Sequence, residues 1–213
     1  MEHKKLSEQA LLALAERIEG RLSPYRMTHT KGVEEMAARL ADLYCPEKKG
    51  MLRAAALLHD LTKEYTNEQQ LALLEGQGIA LRPDERETPK IWHAMTAPAV
   101  IERDFPDYAD SDILSAVRWH TTGREGMTLA EGLLYLADFI EEGRTFPDCV
   151  ALRRRFFDAR PEDMTREQRA RHLRDVLLFS FDMTLNELAR EGRGVCLDTL
   201  AAQQYLKSRK EID

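Results

Sequence analysis

Helix-opening signals recur along the whole of this chain, and nothing between them reads as a strand. Ser23-Pro24 and Thr88-Pro89 set a capping hydroxyl before a proline at the first helical position, and Pro46 stands at a third such start. Thr128-Leu129-Ala130-Glu131 and Thr165-Arg166-Glu167-Gln168 are capping boxes, in which the hydroxyl and the side chain three residues on satisfy each other's exposed backbone amides. Apolar residues follow at helical spacing, as in Leu11, Leu12, Ala15 and Ile18 within residues 7–21. The pattern predicts helices over 7–21, from Pro24 to about Tyr44, from Pro46 through Leu58, and from Thr88 through Val100. It continues with Ile113 to His120, a helix from Thr128, a long one from Thr165 towards Ala189, and a last one opened by Asp198. Asn67 is expected to cap a short helix ending near Glu75, and residues 76–86 read as loop. With only 11 glycines and 8 prolines in 213 residues, few breakers interrupt the pattern. The expectation is an all-α fold of about eight to ten helices, one domain over residues 1–213 with its core at about 22–198.

Charge and composition exclude several classes. The 31 basic and 37 acidic residues leave a net charge of −6, which opposes a general nucleic-acid coat. Arg153-Arg154-Arg155 is the one dense basic run, and Phe156 and Phe157 behind it make a helix with a wet and a buried face. No stretch of about 18 apolar residues offers a membrane span. Met1 to Lys5 lacks the apolar segment of a secretory signal. Cys45, Cys149 and Cys196 are too scattered for a disulfide framework or a zinc knuckle, and a reducing cytoplasm is the expected location.

The chemistry lies in histidines and acids. His29, His59, His93 and His120 fall in predicted helices or at their ends, at intervals of 30, 34 and 27 residues. In a bundle, each can reach a shared centre from a different helix. Between Met51 and Leu58 the one charge is Arg53, so this helix is apolar on nearly every side and buried. The His59-Asp60 pair at its inner end is polarity that needs compensation. Asp138 is the one charged residue from Gly132 to Ile140 apart from its neighbours beyond the helix, and an acid so placed needs a partner, either an arginine or a cation. Imidazole suits first-row transition metals, and a carboxylate can bridge two of them. His3 and His172 read as surface residues, and Trp92 and Trp119 as core, with walling of the site or stacking on a base as the second reading.

In order and spacing, His29, His59-Asp60, His93, His120 and Asp138 resemble the HD-domain metal-dependent phosphohydrolases, in their two-metal form. The wording around them is similar to the YqeK family, symmetrical bis(5′-nucleosyl)-tetraphosphatases of bacteria. It includes Arg26-Met27-Thr28-His29-Thr30, Leu57-Leu58-His59-Asp60-Leu61-Thr62-Lys63, Ala116-Val117-Arg118-Trp119-His120-Thr121-Thr122-Gly123 and Leu134-Tyr135-Leu136-Ala137-Asp138-Phe139-Ile140-Glu141. The resemblance covers about Leu22 to Asp198. Two relatives with other substrates are disfavoured. Ala94-Met95-Thr96-Ala97-Pro98 replaces the Gly-Tyr-Pro element of cyclic-dinucleotide phosphodiesterases, and Lys63-Glu64 replaces the Glu-Asp of alarmone hydrolases.

The resemblance implies an HD-type helical bundle that splits diadenosine tetraphosphate at its centre into two ADP. It implies His29, His59, Asp60 and Asp138 around one divalent ion, and Asp60, His93 and His120 around a second. Iron is the expected metal, with manganese or cobalt fitting the same ligands. Two such cations lower the pKa of a bridging water, and the resulting hydroxide attacks an inner phosphorus, so Asp60 and Lys63 form the catalytic pair. Lys63 and Arg26 are the expected phosphate grips, with His93, Arg118, Thr121 and Arg144 as further substrate contacts. The alternative is a nucleotide phosphohydrolase of broader specificity on the same metal pair. The expected partner is a dinucleoside polyphosphate or another nucleotide substrate, without nucleic acid or membrane, and a homodimer is compatible with the helical surfaces.

Overall fold

Eleven α-helices, joined by short loops and single 3-10 turns, make up residues 6–209 and 212, which this computed structural model describes. His3 and the rest of the Met1–Lys5 opening lie outside the described residues. In chain order the helices are α1 (Glu8–Glu19), α2 (Pro24–Tyr44), α3 (Lys49–Leu58), α4 (Asn67–Gly76), α5 (Pro83–Arg86) and α6 (Trp92–Asp104). They continue with α7 (Ser111–Trp119), α8 (Leu129–Ile140), α9 (Pro147–Phe157), α10 (Arg166–Arg190) and α11 (Leu197–Ser208). No strand occurs among the described residues, and none of these helices is long and apolar enough to cross a membrane.

The starts follow the capping chemistry. Ser23 Oγ accepts the Arg26 amide at 3.2 Å, and both capping boxes close, Thr128 with Glu131 and Thr165 with Gln168. Glu131 is wholly buried yet satisfied, because Arg124 and Ser115 also donate to its carboxylate. Five local expectations shift. Thr88 makes no capping bond; its hydroxyl donates to the Asp84 carbonyl at 2.9 Å, and Pro89 opens a 3-10 turn before α6. The cap of α4 is Thr66, which makes a capping box with Gln69, so Asn67 is the first helical residue. Residues 76–86, expected as loop, contain the single turn α5, held by Pro83 and by the Arg82 amide donating to Glu85 at 2.8 Å. Helix α11 begins at Leu197 behind Cys196, and Asp198 instead accepts from Arg82 at 2.7 Å. His172 is half-buried, with Nε2 2.9 Å from the Phe156 carbonyl and its ring against the Phe156 ring. All three cysteines are buried and free.

The two most deeply buried helices carry the acids. In α3, Met51, Leu52 and every residue from Ala54 to Leu58 are buried, against α1, α2, α7 and α8. In α8, Leu133, Leu134, Leu136, Ala137 and Ile140 are inaccessible, and the helix lies on α2, α3, α7 and α9. A helix enclosed on all sides cannot roll without opening voids, so the residues at its end are held in place. Leu57→Ala, at a fully buried site, should cost about 3 kcal/mol of stability. Leu12→Ala, at a 63% exposed site, should change it by less than about 0.5 kcal/mol. Urea denaturation of both variants checks the contrast.

Candidate active site

His29 projects from the second turn of α2, His59 and Asp60 from the end of α3, His93 from the start of α6, His120 from the end of α7 and Asp138 from α8. Five elements far apart in sequence thus bring six side chains to one centre. Asp60, 3% exposed, is its hub. Its Oδ2 lies 3.4 Å from His59 Nε2 and 3.8 Å from His29 Nε2. Its Oδ1 lies 3.3 Å from His93 Nε2 and 3.8 Å from His120 Nε2. One carboxylate therefore offers each oxygen to a different pair of imidazoles. Asp138 Oδ1 adds itself to the first pair, 3.0 Å from His29 Nε2 and 3.9 Å from His59 Nε2.

The rings are aimed from behind. His59 Nδ1 donates to the Ala56 carbonyl at 2.6 Å, and His120 Nδ1 to the Val117 carbonyl at 2.7 Å. A carbonyl only accepts, so each Nδ1 carries the proton and each Nε2 turns a lone pair to the centre. His29 Nδ1 lies 3.1 Å from Glu141 Oε1, which sets the same tautomer. His29 Nε2 and His59 Nε2 are buried and make no hydrogen bond of acceptable geometry. Buried polar atoms are normally satisfied. Two orphaned nitrogens facing two acids are what a cation would complete, and metal-binding histidines characteristically have their other nitrogen held in this way. His29, His59 and Asp138 offer donor atoms within 4.8 Å of one another, as do His59, Asp60 and His120. The donor set fits divalent metal.

The electrostatics agree. Burial alone would raise the Asp60 carboxyl, but His59, His93 and Lys63 outweigh it and hold Asp60 well below the usual carboxylate range. At Asp138 burial is likewise outweighed, by Arg144, His59 and His29. His59 is pushed up, since Asp60 and Asp138 overcome the effect of its burial. Burial draws His120 down to about 4 and, with the Lys63 ammonium beside it, draws His93 well below its ordinary value. Both acids stay ionised, and the space between them attracts positive charge.

Cations ring this centre. Arg26 Nη1 meets Asp60 Oδ2 at 2.7 Å, and Arg144 Nη2 meets Asp138 Oδ1 at 2.5 Å. Lys63 Nζ lies 3.2 Å from His93 Nε2, with its pKa lowered by burial. Thr121 Oγ1 lies 3.0 Å from His120 Nε2 and 3.3 Å from His93 Nε2. Arg118 goes elsewhere: its guanidinium stacks 4.0 Å over the Trp119 ring and approaches Glu85 at 3.9 Å. Trp92 is core, its indole N–H donating to the Glu85 carbonyl at 2.7 Å. A cavity of about 340 Å³ opens beside the centre, lined by Arg26, His29, Asp60, Lys63, Asp138 and Arg144 among others.

The supporting residues were harder to find in the sequence. The Glu141 carboxylate, on a residue 3% exposed, lies in space that two glycines leave open. A Cβ on Gly32 would come within 2.5 Å of its Oε2, and one on Gly143 within 2.9 Å. Its position three residues after Asp138, at the cap of α8, was the available signal. Arg153 reaches from α9 to the carbonyls of Ile140, Glu141 and Arg144, and with Arg144, which donates to the Asp138 and Glu141 carbonyls, it closes the end of α8 and anchors the Arg144 loop. Glu64 binds the amide and hydroxyl of Ser23, tying the Lys63 loop to the start of α2. Thr62, Thr96 and Gln70 form a buried network under His93, with Thr62 donating to the His93 carbonyl at 3.0 Å.

Known proteins resemble this chain over most of its length. The chain is 29% identical over 191 residues to a Bacillus subtilis protein named bis(5′-nucleosyl)-tetraphosphatase, symmetrical, covering 90% of this chain and 94% of that one. It is 31% identical over 189 residues to a protein of the same name from Halalkalibacterium halodurans, covering 87% and 90%. A crystal structure from Clostridium acetobutylicum, described as a predicted HD superfamily hydrolase involved in NAD metabolism, superposes with a TM-score of 0.79 at 30% identity, over 93% of this chain and 97% of that one. The HD domain itself matches residues 26–143, a span that begins at Arg26, ends just before Arg144 and contains all six central side chains, and the chain belongs to that family.

Proposed function

We propose that this protein is a metal-dependent hydrolase that cleaves diadenosine tetraphosphate symmetrically, giving two molecules of ADP. The observation that carries the proposal is Asp60, whose two oxygens serve two separate pairs of imidazoles beside a cavity walled by Arg26, Lys63 and Arg144. The relatives bearing the tetraphosphatase name at about 30% identity over most of the chain support the substrate.

His29, His59, Asp60 and Asp138 would hold one divalent ion, and Asp60, His93 and His120 another. We expect iron, and manganese or cobalt would suit the same nitrogens and oxygens. Bound there, the ions would neutralise phosphate oxygens and make water a competent nucleophile near neutral pH. The chain's own residues do the rest. The carbonyls of Ala56 and Val117, with Glu141, keep three imidazoles in the tautomer that faces inward. Arg26 spends Nη1 on Asp60, and Arg144 spends Nη2 and Nε on Asp138, which leaves Nη donors on both guanidiniums for phosphate oxygens. Lys63 contributes a compact positive charge between His93 and the cavity, and Thr121 a hydroxyl to the same side. A departing ADP is weakly basic, so neutralising its charge matters more than protonating it, and no side-chain nucleophile is needed. The nucleosides would lie at the cavity mouth, outside the centre.

Purified protein carrying its native metal should convert diadenosine tetraphosphate to ADP alone, by chromatography of the products. AMP plus ATP, or equal rates on simple nucleotides, would defeat the proposal in favour of asymmetric or broad hydrolysis. Asp60→Ala should abolish both turnover and metal retention, because one carboxylate serves both sides of the centre. Lys63→Ala should keep its metal, by elemental analysis, while kcat/KM falls by a factor of about 100 or more, the scale of a lost electrostatic contact at a reacting phosphate. Glu141→Ala should weaken metal retention against a chelator about 10- to 100-fold without unfolding the bundle. Gly32→Ala should act in the same direction, since its methyl would displace the Glu141 carboxylate.

A further inference from the structure

The chain has two tryptophans, six tyrosines and seven phenylalanines, and almost all are drawn inward. Among the described residues, the exposed aromatic side chains are Tyr25, at 75%, and Phe146, at 60%. Both line the cavity that opens beside Asp60 and Asp138. They come from different elements. Tyr25 lies in the first turn of α2, and Phe146 is the cap residue of α9. Neither backbone is loose. The start of α2 is pinned by the Ser23 cap and by Glu64, and the loop before Phe146 is clamped by Arg153 through the carbonyls of Ile140, Glu141 and Arg144. Each ring also adjoins a phosphate-facing cation in sequence: Tyr25 precedes Arg26, and Phe146 follows Arg144 by two residues. The Arg26 guanidinium lies 5.9 Å from the Tyr25 ring centroid.

Two large rings left in water, on rigid backbone, at the mouth of a cation-lined cavity, need an occupant with a flat face and an anionic tail. We propose that Tyr25 and Phe146 form a nucleobase-stacking rim, so that the cavity selects a nucleoside joined to phosphates over phosphate alone. The inference rests on the proposed function for the identity of the anionic tail, and it adds the residues that recognise the other end. Aromatic rings stack on any base, so the rim predicts preference for nucleotides as a class with weak discrimination among bases.

The test is equilibrium binding, independent of turnover. ADP and inorganic pyrophosphate, a diphosphate without a base, are titrated calorimetrically into the metal-loaded protein and its variants. Tyr25→Ala and Phe146→Ala should each weaken ADP about tenfold and leave pyrophosphate unchanged. Tyr25→Phe and Phe146→Tyr, which keep the rings, should bind ADP like the parent protein, and adenosine and guanosine diphosphates should differ little. Equal losses for ADP and pyrophosphate would mean that the rings merely support the cavity wall, and unchanged ADP binding would remove them from recognition. Should ring removal alter the sedimentation coefficient and leave ADP binding untouched, the rings cover a second copy of the chain and the stacking rim is wrong. A protein that fails to hydrolyse diadenosine tetraphosphate yet loses ADP affinity on ring removal would overturn the proposed function and keep the rim.

Discussion

A carboxylate buried at the end of an apolar helix governs this structure. Asp60 is 3% exposed, and the helix that delivers it offers it almost nothing polar. An isolated ionised carboxylate in such surroundings costs several kcal/mol, more than most single interactions in a fold return. Four imidazoles, Arg26 and Lys63 are gathered around it to offset that cost. The same compensation serves the proposed function: the groups that make Asp60 tolerable inside the bundle are nitrogen and oxygen donors that suit a cation, beside positive charges that suit phosphate.

That arrangement depends on a second layer whose members never reach the centre. Backbone carbonyls of α3 and α7 set the tautomers of His59 and His120. Glu141 does so for His29, in a space that Gly32 and Gly143 leave open. Arg153 helps to close the end of α8, and Glu64 ties the Lys63 loop to α2. Each contact converts a mobile side chain or loop into a fixed one, as tight positioning of a reacting group requires. The outer edge obeys a different rule. Tyr25 and Phe146 sit on equally rigid backbone, yet expose their rings.

Much of the fold was legible because helix starts are local chemistry. Caps at Ser23, Thr128 and Thr165 satisfy amides within three residues of themselves, so their spacing suffices. The misses have equally local causes. At α4 the capping box Thr66/Gln69 outcompetes Asn67, and at α5 a single proline-led turn is too short to show periodicity. Asp198 was recruited by Arg82, a partner 116 residues away. Arg118 precedes His120 by two residues, and helical geometry sends the two side chains in different directions, so nearness in sequence misled.

The sequence by itself determined the helices, the buried character of α3 and α8, and the identity of the six histidine and aspartate side chains that meet at one centre. These follow from short-range patterns and from the scarcity of polar groups in apolar stretches. Only the tertiary structure decided how Asp60 divides its oxygens, that Glu141 stands behind His29, that Arg118 turns to Glu85, and that two exposed rings share one cavity mouth. Those are relations between side chains tens of residues apart, set by how whole helices pack, and no local pattern encodes the angle at which one helix crosses another.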